Sequence, residues 1–233
     1  MDTIKSQEGW KEIEPGIFSV LDNFSGSAYD QKAAMYEKLV SSKLYNKIIW
    51  GTSPDDYKEF GKKGIFSENG SLLDVGCGGL IQTAAIYSQT KRPCTLVDSS
   101  IEMLKIAKGR LIEQTGKLRD SIQLLQADAF NLPFAENCFD TVCSFGMIHL
   151  FDNKQEYVQE LLRVLKVGGT FYFSTMITHR WISKLYMQQL RKLNEFGELC
   201  SEKEILALFK EEKSRIKSYR KGSMLFIEGE KIR

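Results

Sequence analysis

The sequence predicts an α/β protein: a doubly wound, mostly parallel seven-stranded sheet with an antiparallel C-terminal hairpin and a helical N-terminal cap. Three observations carry this. Between about Ser71 and Thr175, short apolar runs alternate with helix-like segments, the pattern of strands joined by helices. The first run ends in a glycine turn, "SLLDVGCGGL" (71–80), a strand–turn–helix junction. The last sixteen or so residues before the C-terminus, "RIKSYRKGSMLFIEGE", read as two strands around Lys221-Gly222.

The N-terminal stretch reads as mostly helical. Ala33, Tyr36, Val40, Leu44 and Ile48 recur at helical spacing, and Ser53-Pro54-Asp55-Asp56 is a helix start, an N-cap residue followed by proline. Residues 1–70 are therefore assigned to a helical cap or lid and residues 71–233 to the main domain. There "SLLDV" is the first strand, and "LIQTAAIYS" carries apolar residues at helical spacing. "CTLVD" (94–98) is the second strand, and Ser99 with Glu102 is a capping-box start for a helix through Met103, Ile106, Ala107 and Arg110. "IQLLQAD" (122–128) and "FDTVCSF" (139–145) are the third and fourth strands. "EYVQELLRVL" places Tyr157, Val158, Leu161, Leu162 and Leu165 on one helical face, and "KVGGTFYFST" turns through glycine into a fifth strand. A helix carrying Trp181, Leu185 and Leu193 follows, then another from a Ser201/Glu204 capping box, before the hairpin.

Of the 233 residues, 42% are hydrophobic and 27% charged, ordinary values for a soluble globular chain with one sizeable domain. Lys and Arg number 32 against 30 Asp and Glu, so no global field calls for nucleic acid or an anionic membrane as partner. The five cysteines (77, 94, 138, 143 and 200) form no C-x-x-C and no metal-ligand spacing, so no metal is expected and the thiols are read as small apolar groups in a reducing compartment. "MDTIKSQEGWKEIEPG" lacks an apolar signal region and no uncharged run is apolar enough to span a bilayer; the expected location is the cytoplasm.

The glycine turn presents free backbone N–H groups at a helix start, and Gly76 and Gly78 let a ligand approach the main chain. A dinucleotide fingerprint would need glycine where Ile81 stands, and the Gly-Lys-Ser/Thr ending of a phosphate loop is absent. Instead Asp74 precedes the turn, an acid suited to a cation such as an ammonium. Asp98 ends the second strand, where a carboxylate can accept from both ribose hydroxyls, and Asp128 with Ala129 ends the third, where a nucleobase could lie. Three acids at successive strand ends, with no lysine or arginine among them, fit a cationic nucleoside without phosphate. S-adenosylmethionine meets that description better than NAD or ATP.

"LLDVGCGGL", "TLVDSSIEMLKIAK", "LLQADAFNLPFAENCFDTVCSFGMIHLF" and "ELLRVLKVGGTFYFST" resemble the successive motifs of class I S-adenosylmethionine-dependent methyltransferases, in the branch around ubiquinone- and menaquinone-biosynthesis enzymes. The resemblance spans about residues 70–176 and implies a Rossmann-like sheet. It implies that Asp74 contacts the amino group of the methionine moiety and that Gly76 and Gly78 pass beneath the cofactor. Asp98, with Ser99, would hold the ribose, Met103 would pack near the adenine, and Asp128 and Ala129 would read its edge. Ser144 and Phe145 would border the methionine end. The family's usual glycine is replaced by Leu80, and its usual proline by Val167.

His149, in "SFGMIHLF", is the candidate general base, with a structural or substrate-lining imidazole as the alternative. Tyr29 and Tyr36 are open to two readings, a lid over a sulfonium or helix packing. The expected acceptor is a small, partly apolar molecule bounded by residues 1–60 and 176–200, whose aromatics include Phe18, Phe24, Tyr29, Trp50, Trp181 and Tyr186. The chain is expected to be a monomer or homodimer with no nucleic-acid or membrane partner. A non-catalytic cofactor-binding protein is the alternative, and a nicotinamide oxidoreductase or an RNA methyltransferase has less support.

Overall fold

The computed structural model describes residues 9–21, 39, 41–68, 70–210 and 214–232. Strands β1 (Lys11–Glu14) and β2 (Ile17–Ser19) come first, then a short helix α1 (Lys43–Tyr45) that runs on as a wide helical turn over Asn46–Trp50, and α2 (Pro54–Ile65). There follow β3 (Leu72–Val75), α3 (Ala84–Tyr87), β4 (Cys94–Asp98), α4 (Ile101–Thr115), β5 (Ile122–Gln126) and β6 (Phe139–Phe145). After these come α5 (Lys154–Val164), β7 (Leu165–Met176), α6 (Trp181–Lys192), α7 (Glu202–Ala207), β8 (Ser214–Lys221) and β9 (Met224–Lys231).

The sheet has the order β1-β2-β5-β4-β3-β6-β7-β9-β8. The six strands from β2 to β7 in that row are mutually parallel, and β9 enters antiparallel to β7 with β8 beyond it. From β3 the chain first builds outward through β4 and β5, then crosses to β6 and β7 on the other side. The strand order therefore reverses between β3 and β6, which opens a crevice at the carboxyl ends of these two strands. All four residues of β3 are buried, as expected for a central strand covered on both faces.

The sheet holds nine strands where the sequence suggested seven. Both additions come from the stretch read as helical. Pro15 and Gly16 (φ +78°) turn the chain between β1 and β2, and the Glu12 carboxylate accepts from the Gly16 N–H at 2.7 Å. Ile17 is fully buried opposite Leu124, while Trp10 packs on Phe18 and Phe134 at ring distances of 6.1 and 6.0 Å. Strands this short are held by pairing with β5, a non-local term that periodicity does not register.

Two of the three predicted caps stand as read. Ser53 and Asp56 form a reciprocal capping box over Pro54, and Ser201 and Glu204 form another. The third moves by one residue: Ser100, not Ser99, caps α4, because the Asp98 carboxylate accepts from the Ser100 N–H and frees the Ser100 hydroxyl to accept from Met103 N–H. Glu102 instead pairs with Lys105. The helix expected over "LIQTAAIYS" shrinks to Ala84–Tyr87, since Leu80 sits in the left-handed region (φ +57°) and its carbonyl accepts from both Thr83 and Ala84. Leu44, Ile48, Trp181, Leu185 and Leu193 lie on helical stripes, but those stripes face outward: the side chains are 68%, 51%, 72%, 53% and 64% exposed. Ala33, Tyr36 and Val40 lie outside the described residues.

Candidate active site

The glycine loop after β3 is shaped by β4. The N–H groups of Gly76 and Cys77 donate to the Val97 carbonyl at 2.8 and 3.0 Å, and the Gly78 N–H donates to Asp98 Oδ2 at 2.8 Å. Gly76 and Gly78 both have positive φ (+73° and +55°), a conformation that favours glycine. A Cβ on Gly76 would lie 2.4 Å from the Met147 sulfur, whereas Gly78 faces open space. From the other side the Arg110 guanidinium donates to the Gly79 carbonyl at 2.5 Å.

Beneath the loop Asp74 is 1% exposed. Its Oδ2 accepts from the Tyr87 hydroxyl at 2.7 Å, while Oδ1 is buried without a hydrogen-bond partner. Burial is the main cause that lifts its pKa to about 7, with the nearby Asp98 charge adding and the Tyr87 bond opposing. The same burial, with Asp98 and Asp74 close by, pushes the Cys77 thiol well above its ordinary range, so it stays neutral.

Asp74, Gly76 and Gly78 line one end of a cavity of about 430 Å³. Its wall also includes Tyr45 of α1, Asn46 and Trp50 of the turn after it, and Tyr186, Leu190 and Phe196 from α6 and its following loop. Trp50 stacks parallel to Phe196 at 6.3 Å and meets Tyr186 edge-on at 5.6 Å, which makes this wall rigid and aromatic. No lysine or arginine is among the lining residues described.

His149 also lines the cavity. Its Nδ1 accepts from the Met176 N–H at 3.3 Å and lies 3.3 Å from the Thr175 hydroxyl, so the imidazole proton resides on Nε2. Its ring rests on Phe196, with centroids 4.5 Å apart. Burial, with a smaller contribution from Lys154, lowers its pKa to about 3, which keeps it neutral.

The cavity thus gathers Asp74, Gly76, Gly78, Met103, Phe145 and His149 of the expected site residues. Asp98 lies behind the loop it holds. Ser99 and Asp128 are exposed at the ends of β4 and β5, and the Asp128 carboxylate accepts from the Phe130 N–H at 2.9 Å. Ala129 is next to it, outside the cavity wall. Ser144 is fully buried and bonded to the Tyr157 hydroxyl at 2.7 Å. Tyr29 and Phe24 lie outside the described residues. Among the expected acceptor aromatics, Trp50 and Tyr186 line the cavity, Phe18 packs at the sheet edge, and Trp181 faces outward. Sequence reasoning missed Tyr87, Arg110, Tyr45, Asn46 and Phe196. Arg110 was legible only as a polar position on a helix, and Tyr87 only as an aromatic one turn past the loop.

Residues 73–173 match the family described as "Methyltransferase domain". The ubiquinone/menaquinone biosynthesis C-methyltransferase of Ectopseudomonas oleovorans is 37% identical over 132 residues, 54% of this chain and 75% of that one. The chain belongs to the class I S-adenosylmethionine-dependent methyltransferases. Within this methyltransferase family, the like-named protein of Pseudomonas fluorescens (strain SBW25) is 31% identical over 171 residues, 70% of this chain and 65% of that one. The chain spans 57% of the length of its counterpart from Pseudomonas putida (strain W619). A solved methyltransferase shares the fold: the geranyl diphosphate C-methyltransferase from Streptomyces coelicolor A3(2) superposes with a TM-score of 0.63. It is 14% identical, over 88% of this chain and 99% of that one.

Proposed function

We propose that this chain transfers a methyl group from S-adenosylmethionine to a small, partly apolar acceptor. One observation carries the reading: one cavity is lined by the glycine loop, by a buried carboxylate with an unpartnered oxygen and by aromatic side chains, with no lysine or arginine among its described lining residues. The donor set fits a cationic cofactor. A buried acid whose second oxygen lacks a partner favours an ammonium, and a wall lacking lysine and arginine disfavours phosphate. When bound, S-adenosylmethionine supplies a methyl group activated on a sulfonium.

In this reading Asp74 holds the ammonium, Gly76 and Gly78 let the cofactor lie against the main chain, and Met103 packs beside the base. Asp98 accepts from the ribose hydroxyls, and Ser99, Asp128 and Ala129 border the nucleoside from the ends of β4 and β5. Phe145 flanks the methionine end, Ser144 braces β6 there through Tyr157, and Tyr29 is a candidate lid. The aromatic wall orients the acceptor and excludes water, so positioning and dehydration supply most of the acceleration. His149 serves as an N–H donor that orients the acceptor, in place of the base expected from sequence, because a neutral ring with Nδ1 engaged and a pKa of about 3 is a poor proton acceptor at neutral pH.

Calorimetric titration with S-adenosylmethionine, its demethylated product and NADH tests the cofactor, followed by a panel of apolar acceptors assayed for the demethylated product. Binding of the first two alone, with product formed from at least one acceptor, is expected. NADH binding, or binding without transfer to any acceptor, would favour the oxidoreductase or the non-catalytic reading.

A further inference from the structure

We propose that Gly222, in the two-residue turn between β8 and β9, is a positioning residue that fixes the place of Trp50 and so the shape of the acceptor wall. In the sequence this turn is a hairpin signal; in the structure it meets the turn after α1. The Ser223 N–H donates to the Trp50 carbonyl at 2.7 Å, the Ser223 hydroxyl accepts from the Arg180 N–H at 3.1 Å, and the Ser223 carbonyl accepts from the Ile177 N–H at 2.8 Å. Ser223 is fully buried, and Trp50 is 2% exposed. Two glycines permit so close an approach. Gly51 and Gly222 both have positive φ (+70° and +58°). A Cβ on Gly222 would overlap the Trp50 carbonyl oxygen and lie 2.7 Å from Gly51 Cα. A Cβ on Gly51 would lie 3.1 Å from Gly222 Cα and 2.7 Å from the Arg180 guanidinium. On the Gly222 side the close atoms are all backbone, so a methyl group there is accommodated only if one turn moves away from the other. The bond that fixes the Trp50 carbonyl moves with it.

Trp50 passes its place on to the rest of the wall. Its ring meets Tyr186 edge-on at 5.6 Å and stacks on Phe196 at 6.3 Å, and Phe196 lies against His149 at 4.5 Å. All four side chains line the cavity. A shift of the Trp50 backbone therefore reaches the imidazole N–H as well as the aromatic faces. The glycine loop is held separately, by bonds to Val97, Asp98 and Arg110. The hairpin turn is thus placed to govern the acceptor while leaving the cofactor alone. That this wall holds the acceptor rests on the proposed function; the placing of Trp50 by the turn does not.

The test is Gly222→Ala in the whole chain, with Trp10→Phe and Trp181→Phe leaving Trp50 as the only tryptophan. Gly168→Ala is the control: Gly168 has φ +78° and open space where a Cβ would go, so it takes the cost of a left-handed alanine without a new contact. Gly222→Ala should shift Trp50 emission to the red and raise its quenching by acrylamide. It should lower kcat/KM for an acceptor that the parent methylates by on the order of 100-fold, the scale of a misplacement of about 1 Å. Calorimetric affinity for S-adenosylmethionine should stay as in the parent. Gly51→Ala reaches the same contact from the other side and should show the same split; it decides the question if Gly222→Ala does not fold. Gly168→Ala should change none of these readings. Unchanged Trp50 emission in the two turn variants, a kcat/KM that does not follow the emission, or an equal fall in cofactor affinity would overturn the proposal. If the parent methylates no acceptor on the panel, the proposed function fails, while a red-shifted Trp50 in the turn variants would still uphold its placing by Gly222.

Discussion

Replacing Asp74 with asparagine should affect stability and binding in opposite directions. The folded protein raises the Asp74 pKa from 3.8 to about 7, chiefly through burial, so the native state holds this proton more tightly than the unfolded chain does. The contribution to stability is complete below the unfolded value and is lost as pH rises to about 7. Three pH units at about 1.4 kcal/mol each make that loss about 4 kcal/mol. Asp74→Asn keeps an oxygen to accept from Tyr87 and removes the charge, but leaves a buried amide where Oδ1 had no partner, which returns about 2 kcal/mol. The ligand-free variant should therefore be more stable than the parent by about 2 kcal/mol at about pH 8, some 4–8 °C in unfolding midpoint, and lack the fall in stability that Asp74 imposes between about pH 4 and 7, leaving the opposite slope of the buried His149. Its affinity for S-adenosylmethionine should fall by on the order of 100-fold, the scale of removing a buried charged partner. In the parent, affinity should climb up to about tenfold per pH unit toward about pH 7 and fall again above about pH 8 as the ligand's own amine deprotonates. At about pH 6, binding should release close to one proton, readable by calorimetry in buffers of different ionisation enthalpy. An Asp74→Asn protein that is less stable at high pH, or that binds the cofactor undiminished, would refute the assignment of this carboxylate.

Asp98→Ala should weaken S-adenosylmethionine binding by about 1.5–3 kcal/mol, since it removes the proposed ribose acceptor together with the group holding the Gly78 N–H; an unchanged calorimetric affinity would remove Asp98 from the site. Leu80→Gly should destabilise the protein by about 1–3 kcal/mol in urea unfolding, because relief of a left-handed leucine is outweighed by loss of a side chain only 2% exposed. A gain in stability would mean that the strained loop, not the packing, dominates there. His149→Gln should leave the shape of the pH–rate profile unchanged and reduce kcat/KM by about tenfold or less; a drop of about 10²–10⁴ would restore the general base.

What the sequence revealed of the site is what backbone geometry dictates. Glycines 76 and 78 were legible because their φ values require glycine or nearly so, and the strand ends at Asp74 and Asp98 because parallel strands place ligands at their carboxyl ends. The roles within that frame were less legible. Asp98 appeared as a ribose acceptor, and the structure adds that it buckles the loop through Gly78 and starts α4 through Ser100. Such a double use depends on two loops meeting in space, and neither is written into local spacing. Tyr87 reaches Asp74 across thirteen residues of chain for the same reason.

The acceptor end was hidden by a deeper ambiguity. Helical periodicity reports that apolar residues share a face, and it says nothing about which way the face points. Leu44 and Ile48, spaced like a buried stripe, are exposed, while Asn46 between them is 2% exposed and lines the cavity. Inversion of this kind costs apolar solvation for each side chain left in water, about 25 cal/mol per Å². Trp181, Leu185 and Leu193 are kept outward in the same way. Periodicity therefore marked these segments as helical and left the direction of their apolar faces to the packing of α6 against the turn after α1.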